Sequence, residues 1–178
     1  MRTLMSSSIL HPPSPLAIVA LGSNLGDSPK ILRDALAQIQ NLSAVPILKS
    51  SLWQTTPVDC PPGSPKFVNA VAGLFPDEKE IPLSLLRKLR KLERKFGRRP
   101  KKIINEARSL DLDLIAFGEQ TWSSPELVLP HPRAHLRKFV LQPLSEIAPD
   151  LILPGQGRTV AELLAQLDSD EEVLKLAP

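Results

Sequence analysis

Apolar positions along the chain switch between two periods, and the switches lay out the elements. Residues 16–21 (LAIVAL) are an unbroken apolar run, the mark of a buried strand. The turn Gly22-Ser23-Asn24-Leu25-Gly26-Asp27 follows. Ser28 and Pro29 suit an N-cap and a first-turn proline. Ile31, Leu32, Ala35, Leu36 and Ile39 recur at helical spacing, which predicts a helix over 29–42. Residues 45–56 (VPILKSSLWQTT) read as a second strand, 58–66 (VDCPPGSPK) as a proline-rich loop, and 67–74 (FVNAVAGL) as a third strand with Asn69 inside it. Leu83, Leu86, Leu89, Leu92 and Phe96 mark a second helix stopped by Gly97. A basic, irregular loop covers 98–107. Within RSLDLDLI (108–115) polar and apolar residues alternate from Ser109 to Leu114, and the strand continues to about Phe117, where Glu119-Gln120 begin a turn. Residues 127–129 are a short extended piece, 134–147 a helix, and 159–167 a last short helix.

The order is strand, helix, two strands, helix, strand. This βαββαβ pattern predicts a ferredoxin-like α+β core: a mostly antiparallel sheet with helices packed on it, plus a C-terminal helical extension. Residues 16–178 form a single domain in this reading, after a flexible tail over 1–15. Many functions use this architecture, so function has to come from the residues it carries.

Composition trims the possibilities. A net charge of +3 suits an anionic ligand without demanding nucleic acid. Aromatic residues make up 4% and tyrosine is missing, which weakens a base-stacking RNA binder. The one cysteine, Cys60, rules out an internal disulfide or a cysteine-rich zinc site and reads as an inert loop thiol. No stretch approaches the roughly 20 apolar residues of a membrane span. A cytosolic protein is expected.

The alternating strand carries the chemistry. Asp111 and Asp113 point one way, and Leu110, Leu112 and Leu114 the other. An Asp-x-Asp pair is often no more than a solvated face, but strand interiors disfavour aspartate. Two like charges so close also need a cation or arginine to compensate them. A rigid pair of hard oxygen donors suits Mg²⁺. Arg98, Arg99, Lys101, Lys102 and Arg108 bracket the preceding loop, and Arg133, Arg137 and Lys138 follow His131. Lys88, Lys91 and Arg94 read as solvated surface. Arg108 differs, being three residues before a metal-type carboxylate, where a phosphate can bridge metal and arginine. Gly22-Ser23-Asn24 is similar to a phosphate cradle, but no Walker or Rossmann glycine pattern is present and a helix start explains the turn equally well. Asn69 either satisfies the core or reads the edge of a heteroaromatic ligand. Phe67 and Phe139 are core residues or the two sides of a ring sandwich.

Seven blocks in register, ALGSNLGD (20–27), TTPV (55–58), FVNAV (67–71), LERKFGR (92–98), RSLDLDLIAFG (108–118), LPHPRAHLRKFVLQPL (129–144) and EIAPDL (146–151), resemble the 6-hydroxymethyl-7,8-dihydropterin pyrophosphokinases of folate biosynthesis. The resemblance implies transfer of the β,γ-pyrophosphoryl unit of ATP to the pterin hydroxymethyl group, with release of AMP. It implies that Asp111 and Asp113 hold two Mg²⁺ ions, one bridging the α- and β-phosphates and one bridging β and γ. Arg98 and Arg108 match positions that contact the phosphates and join the aspartates as the catalytic set. His131, Arg137 and Glu93 match further ATP-site positions, and Leu127 and Val128 the adenine pocket. Phe67 and Phe139 match the pair that stacks the pterin. Asn69, with Thr55, Thr56, Pro57 and Val58, matches the groups that bind its edge. The expected partners are these two small molecules, with no nucleic acid and no membrane, and a monomer is the expected working form.

The chain departs from the family pattern at Pro100, where a second arginine is common, with Lys101 or Lys102 as substitutes. It departs also at Asn105, Ala107 and Pro132. The first three changes bear on the loop before the aspartates, and all four leave the metal pair intact. Two other readings follow from the same residues. A nucleic-acid-binding module would use the basic 98–108 loop and bind RNA with strong salt dependence. A weakened relative would bind pterin or ATP without turnover.

Overall fold

The computed structural model describes residues 15–99 and 106–177. The elements are β1 (Ala17–Ser23), α1 (Ser28–Ile39), β2 (Leu48–Lys49), β3 (Trp53–Thr55), β4 (Phe67–Leu74), α2 (Pro82–Lys95), β5 (Asp111–Phe117), β6 (Trp122–Ser123), β7 (Val128–Leu129), α3 (Lys138–Ile147), α4 (Val160–Gln166) and β8 (Val173–Lys175). The main sheet runs β5-β1-β4-β3-β8, with β2 also on β4, and every pairing is antiparallel. With β2 and β3 taken as one interrupted strand, the core order is fourth, first, third, second. That order is compatible with the ferredoxin-like arrangement the element order predicts.

Alternation along the strands divides the core in two. Val19 and Leu21 of β1, Ala70 and Ala72 of β4, and Leu112 and Leu114 of β5 pack with Leu32, Ala35 and Ile39 of α1 and Leu85 and Leu89 of α2. The opposite sheet face, with Ile18, Ala20, Val71 and Ile115, packs on Val140, Leu141 and Leu144 of α3 and Val160 of α4. Each fully buried leucine contributes about 1.5–3 kcal/mol. The β1–β5 register slips between Ile18 and Val19. Ile115 and Ala116 therefore both face α3, and Phe117 returns to the α1–α2 side.

Several local expectations change. Asp27, not Ser28, caps α1: its carboxylate accepts the Lys30 N–H at 3.1 Å, and Ser28 and Pro29 lie inside the first turn. The single strand expected over 45–56 breaks into β2 and β3, because Ser50 turns its hydroxyl inward to accept the Val71 N–H at 2.9 Å. The helix expected over 134–147 is a 3₁₀ turn (Ala134–Leu136) followed by α3. The C-terminal extension is helical at α4 but ends in β8, which pairs with β3. Gly97 does end α2, with φ +85°, a left-handed conformation that glycine adopts without a Cβ penalty. The expected tail, apart from Pro15, lies outside the described residues, as do Pro100, Lys101, Lys102 and Asn105.

Candidate active site

The same sheet face is apolar at one end and polar at the other. Cross-strand register puts Asn69, Gly22 and Asp111 in one row, and Val71, Ala20 and Asp113 in the next. Near Val71 and Ala20 the face is covered by α3. Beyond it opens a cleft of about 770 Å³. Gly22 keeps its floor low: a Cβ there would come 3.1 Å from Asn69 Oδ1 and 3.8 Å from the Phe67 ring.

One wall is a ladder of opposite charge. Asp111 is held by Arg98 Nη1 on Oδ1 at 2.6 Å and by Arg108 Nη1 on Oδ2 at 2.7 Å. Arg98 also pairs with Glu93. Glu93 in turn accepts the Leu112 N–H at 2.8 Å, on the open side of the edge strand β5. The end of α2 thus fixes both Arg98 and the start of β5. Burial raises Glu93 to about 7, with the Asp111 and Asp113 charges adding to the shift; the Leu112 N–H and Arg98 oppose it. Burial and the Asp111 charge raise Asp113 to about 6, against the pull of Arg137, Arg98 and Arg108.

The segment after β7 supplies the facing side. The His131 N–H donates to the Ile115 carbonyl at 2.8 Å, and His131 Nδ1 accepts the Arg133 N–H at 3.2 Å. Burial, then Arg137 and Arg133, lowers His131 to about 4, so the ring is neutral at pH 7. Its remaining proton is then on Nε2, free to donate. Arg137 lies 5.4 Å from the Phe139 ring centroid, and Arg108 lies 6.0 Å from that of Phe67.

The structure brings together all but one of the residues that the family resemblance assigns to the site. Thr55, Thr56, Val58, Phe67, Asn69, Glu93, Arg98, Arg108, Asp111, Asp113, Leu127, Val128, His131, Arg137 and Phe139 line the cleft, and Pro57 does not. Asn69 Nδ2 donates to the Thr55 hydroxyl at 2.7 Å, both residues being buried. Its amide oxygen is the group that faces Gly22.

Other lining residues had no site role in the sequence reading, although Arg99 stood in the cation set before the aspartates. Arg94, expected on the solvated surface, lines the cleft with Arg90 and Arg99. The spacing of Leu86, Arg90, Glu93 and Arg94 on one helical face was the available signal. Cys60, read as an inert loop thiol, and Asp59 line it as well. The C-terminal segment frames the far side in a way that no local pattern announces. Glu171 accepts the Phe139 N–H at 3.0 Å, and the Glu172 carbonyl accepts the Thr56 N–H at 3.2 Å.

The donors fit a hard divalent cation. Two carboxylates on one rigid strand face are enough for Mg²⁺, which keeps waters and takes substrate phosphates as its remaining ligands. Among the described residues no group of three or more His, Cys, Asp or Glu could hold a metal, so an all-protein cage is not offered.

An antiparallel α+β sandwich with a paired carboxylate, an arginine clamp and an aromatic-walled cleft suits a transferase that handles an anionic co-substrate. Residues 18–149 match the model of the 7,8-dihydro-6-hydroxymethylpterin-pyrophosphokinase family, and the chain belongs to that family. It is 41% identical over 148 residues to the 2-amino-4-hydroxy-6-hydroxymethyldihydropteridine pyrophosphokinase of Pseudomonas aeruginosa, covering 83% of this chain and 88% of that one. To the Haemophilus influenzae enzyme of the same name it is 38% identical over 164 residues, covering 91% and 98%. Among solved structures, wild-type Plasmodium falciparum HPPK-DHPS with pteroate superposes with a TM-score of 0.67 at 12% identity. That likeness covers 86% of this chain and 44% of the Plasmodium chain, and it shows the fold.

Proposed function

We infer that the chain catalyses its family's reaction, transfer of pyrophosphate from ATP to the hydroxymethyl group of 6-hydroxymethyl-7,8-dihydropterin, in tetrahydrofolate biosynthesis. The pterin hydroxyl oxygen attacks the β-phosphorus of ATP. The bond from that phosphorus to the oxygen bridging the α- and β-phosphates breaks, and AMP leaves with that oxygen as the hydroxyl proton passes to solvent water. Little covalent work falls to the protein, so catalysis is positioning and charge stabilisation.

The observation that carries the reading is Asp111 and Asp113 on the cleft side of β5, with Arg98 and Arg108 closed onto Asp111. Asp111 and Asp113 would hold Mg²⁺, two ions in this proposal, which when bound neutralises the phosphate chain and acts as a Lewis acid. Arg98 and Arg108 are within reach of phosphates brought to that end and can exchange Asp111 for phosphate oxygens. Neutral His131 donates from Nε2, and Arg137 adds a cation. Leu127 and Val128 give the adenine an apolar wall. Phe67 and Phe139 stack the pterin, while the Asn69 amide, locked by Thr55, presents its oxygen to the pterin amino edge. Thr56, Pro57 and Val58 complete that side, with Pro57 acting through loop stiffness. Residues 16–178 work as one domain and as a monomer, binding small molecules and neither nucleic acid nor membrane. Among the described residues no helix is long and apolar enough to cross a membrane. A cytosolic location is part of the proposal, and cell fractionation tests it.

The experiment is AMP formation from ATP and Mg²⁺ with and without the pterin. Pterin-dependent AMP is expected. Binding of both substrates without AMP would leave a weakened relative, and failure to bind either would overturn the site.

A further inference from the structure

Asn24 lies in the turn between β1 and α1, is 5% exposed, and has no role in the chemistry above. It grips one residue from two sides. Its backbone N–H donates to the Arg108 carbonyl at 3.1 Å, and its Oδ1 accepts the Arg108 N–H at 2.8 Å. Its Nδ2 donates to the Pro65 carbonyl at 3.4 Å. Pro65 is two residues before Phe67, whose ring lies under the Arg108 guanidinium. One buried amide therefore joins the β1 turn, the entry to β5 and the loop that leads into the aromatic wall.

The turn does not need Asn24 to hold itself. Asp27 caps α1, and Ser23 Oγ donates to Ser28 Oγ at 2.8 Å, closing the turn from within. Arg108, by contrast, needs external placement. Its Nε is buried with no partner among the described residues, so a single ion pair, Nη1 to Asp111, and the Phe67 ring beneath it are left to orient the guanidinium. Where the guanidinium points then follows from how the backbone enters at residue 108. That entry is what Asn24 holds.

We propose that Asn24 is a positioning residue that sets Arg108 and the 58–66 loop together, so that the phosphate-side cation and the pterin-side wall move as one unit. The inference rests on the assignment of Arg108 to the phosphates.

The test measures kcat, both KM values and the unfolding midpoint of Asn24→Ala, Asn24→Asp, Arg108→Ala and the Asn24→Ala/Arg108→Ala pair. Asn24→Ala should lower kcat about 10-fold, the scale expected when an outer partner of a site residue is removed. In the Arg108→Ala background the same change should cost less than about 2-fold, because positioning a missing side chain does nothing. Asn24→Asp keeps the acceptor for the Arg108 N–H but sets an oxygen against the Pro65 carbonyl, so it should raise the pterin KM and largely spare kcat. If Asn24→Ala does not fold, Asn24→Asp decides, a raised pterin KM supporting the coupling and an unchanged one overturning it. An equal loss of kcat in both backgrounds, or none in either, overturns the coupling while Arg108 keeps its role. A native kcat in Arg108→Ala overturns the assignment of Arg108 itself and the coupling with it.

Discussion

Glu93 and Glu146 are the same residue in nearly the same bonding pattern, yet their acidities move in opposite directions. Each accepts a backbone N–H from another element and pairs with one cation. Glu93 takes Leu112 and Arg98; Glu146, on α3, takes the Ser51 N–H at 2.9 Å and Lys175 at 2.6 Å. Glu146 adds the Ser51 hydroxyl at 2.8 Å and the Trp53 indole N–H at 3.1 Å. For Glu146 burial opposes ionisation, but Lys175, Ser51 and Trp53 together outweigh it and hold the group at about 2. For Glu93 burial wins, and the neighbouring aspartates reinforce it, to about 7. Glu146 is a staple across the β2–β3 break and β8, with its acceptor capacity filled. Glu93 belongs to a set of carboxylates that protein groups leave incompletely compensated, the condition expected where a cation or a charged substrate is to bind.

The contrast predicts opposite outcomes for mutation. The largest effect is on turnover. Asp113→Ala or Asp111→Ala should cut AMP formation by roughly 10²–10³-fold, the several kcal/mol of charge stabilisation that the metal supplies. Asp113→Asn should do the same while raising the unfolding midpoint, since it removes a buried like charge. A thermal scan beside the assay checks both, and a fully active Asp113→Ala protein would remove the metal assignment. Glu146→Ala should reverse the pattern, costing about 1–2 kcal/mol in urea unfolding with turnover unchanged; partial solvent exposure keeps the figure modest.

The pH dependence of unfolding separates the two glutamates further. Glu146 has a depressed folded value. Its contribution is full above about 4.5 and is lost as pH falls toward about 2. Glu93 has a raised folded value. Its contribution is full below about 4.5 and is lost as pH rises through about 7. The low-pH slope should flatten in Glu146→Gln, and the slope between about 6 and 7, above the Asp113 value, should flatten in Glu93→Gln. A wild-type profile unaltered by Glu93→Gln would show that Arg98 compensates that charge fully. The smallest expected effect is on metal requirement. Burial and the Asp111 charge push Asp113 up to about 6, so the Mg²⁺ concentration for half-maximal activity should rise as pH drops through that value.

Strand and helix identity along 16–117 follows from periodicity, because each face of each element is either covered or wet. The third strand, 67–74, has the observed bounds, and the alternation of 110–114 places both aspartates on the same face. Elements held by distant partners are less legible. Nothing local in VLK (173–175) marks an edge strand, since its partner Trp53 is more than a hundred residues away. Arg94 reads as surface on a helix of many cations until β5 and the 126–133 segment build a cleft beside it.

The βαββαβ order, the carboxylate pair and, through seven blocks in register, the family are all written in the linear chain. Period and residue type are local properties, and a single chain displays them. The tertiary structure decided which charges meet. Only the folded sheet places Gly22 between Asn69 and Asp111, closes two arginines on one aspartate, and ties Asn24 to Arg108 across 84 positions. The physical reason is that burial and Coulomb energy depend on distance in space, and distance along the chain does not reveal it.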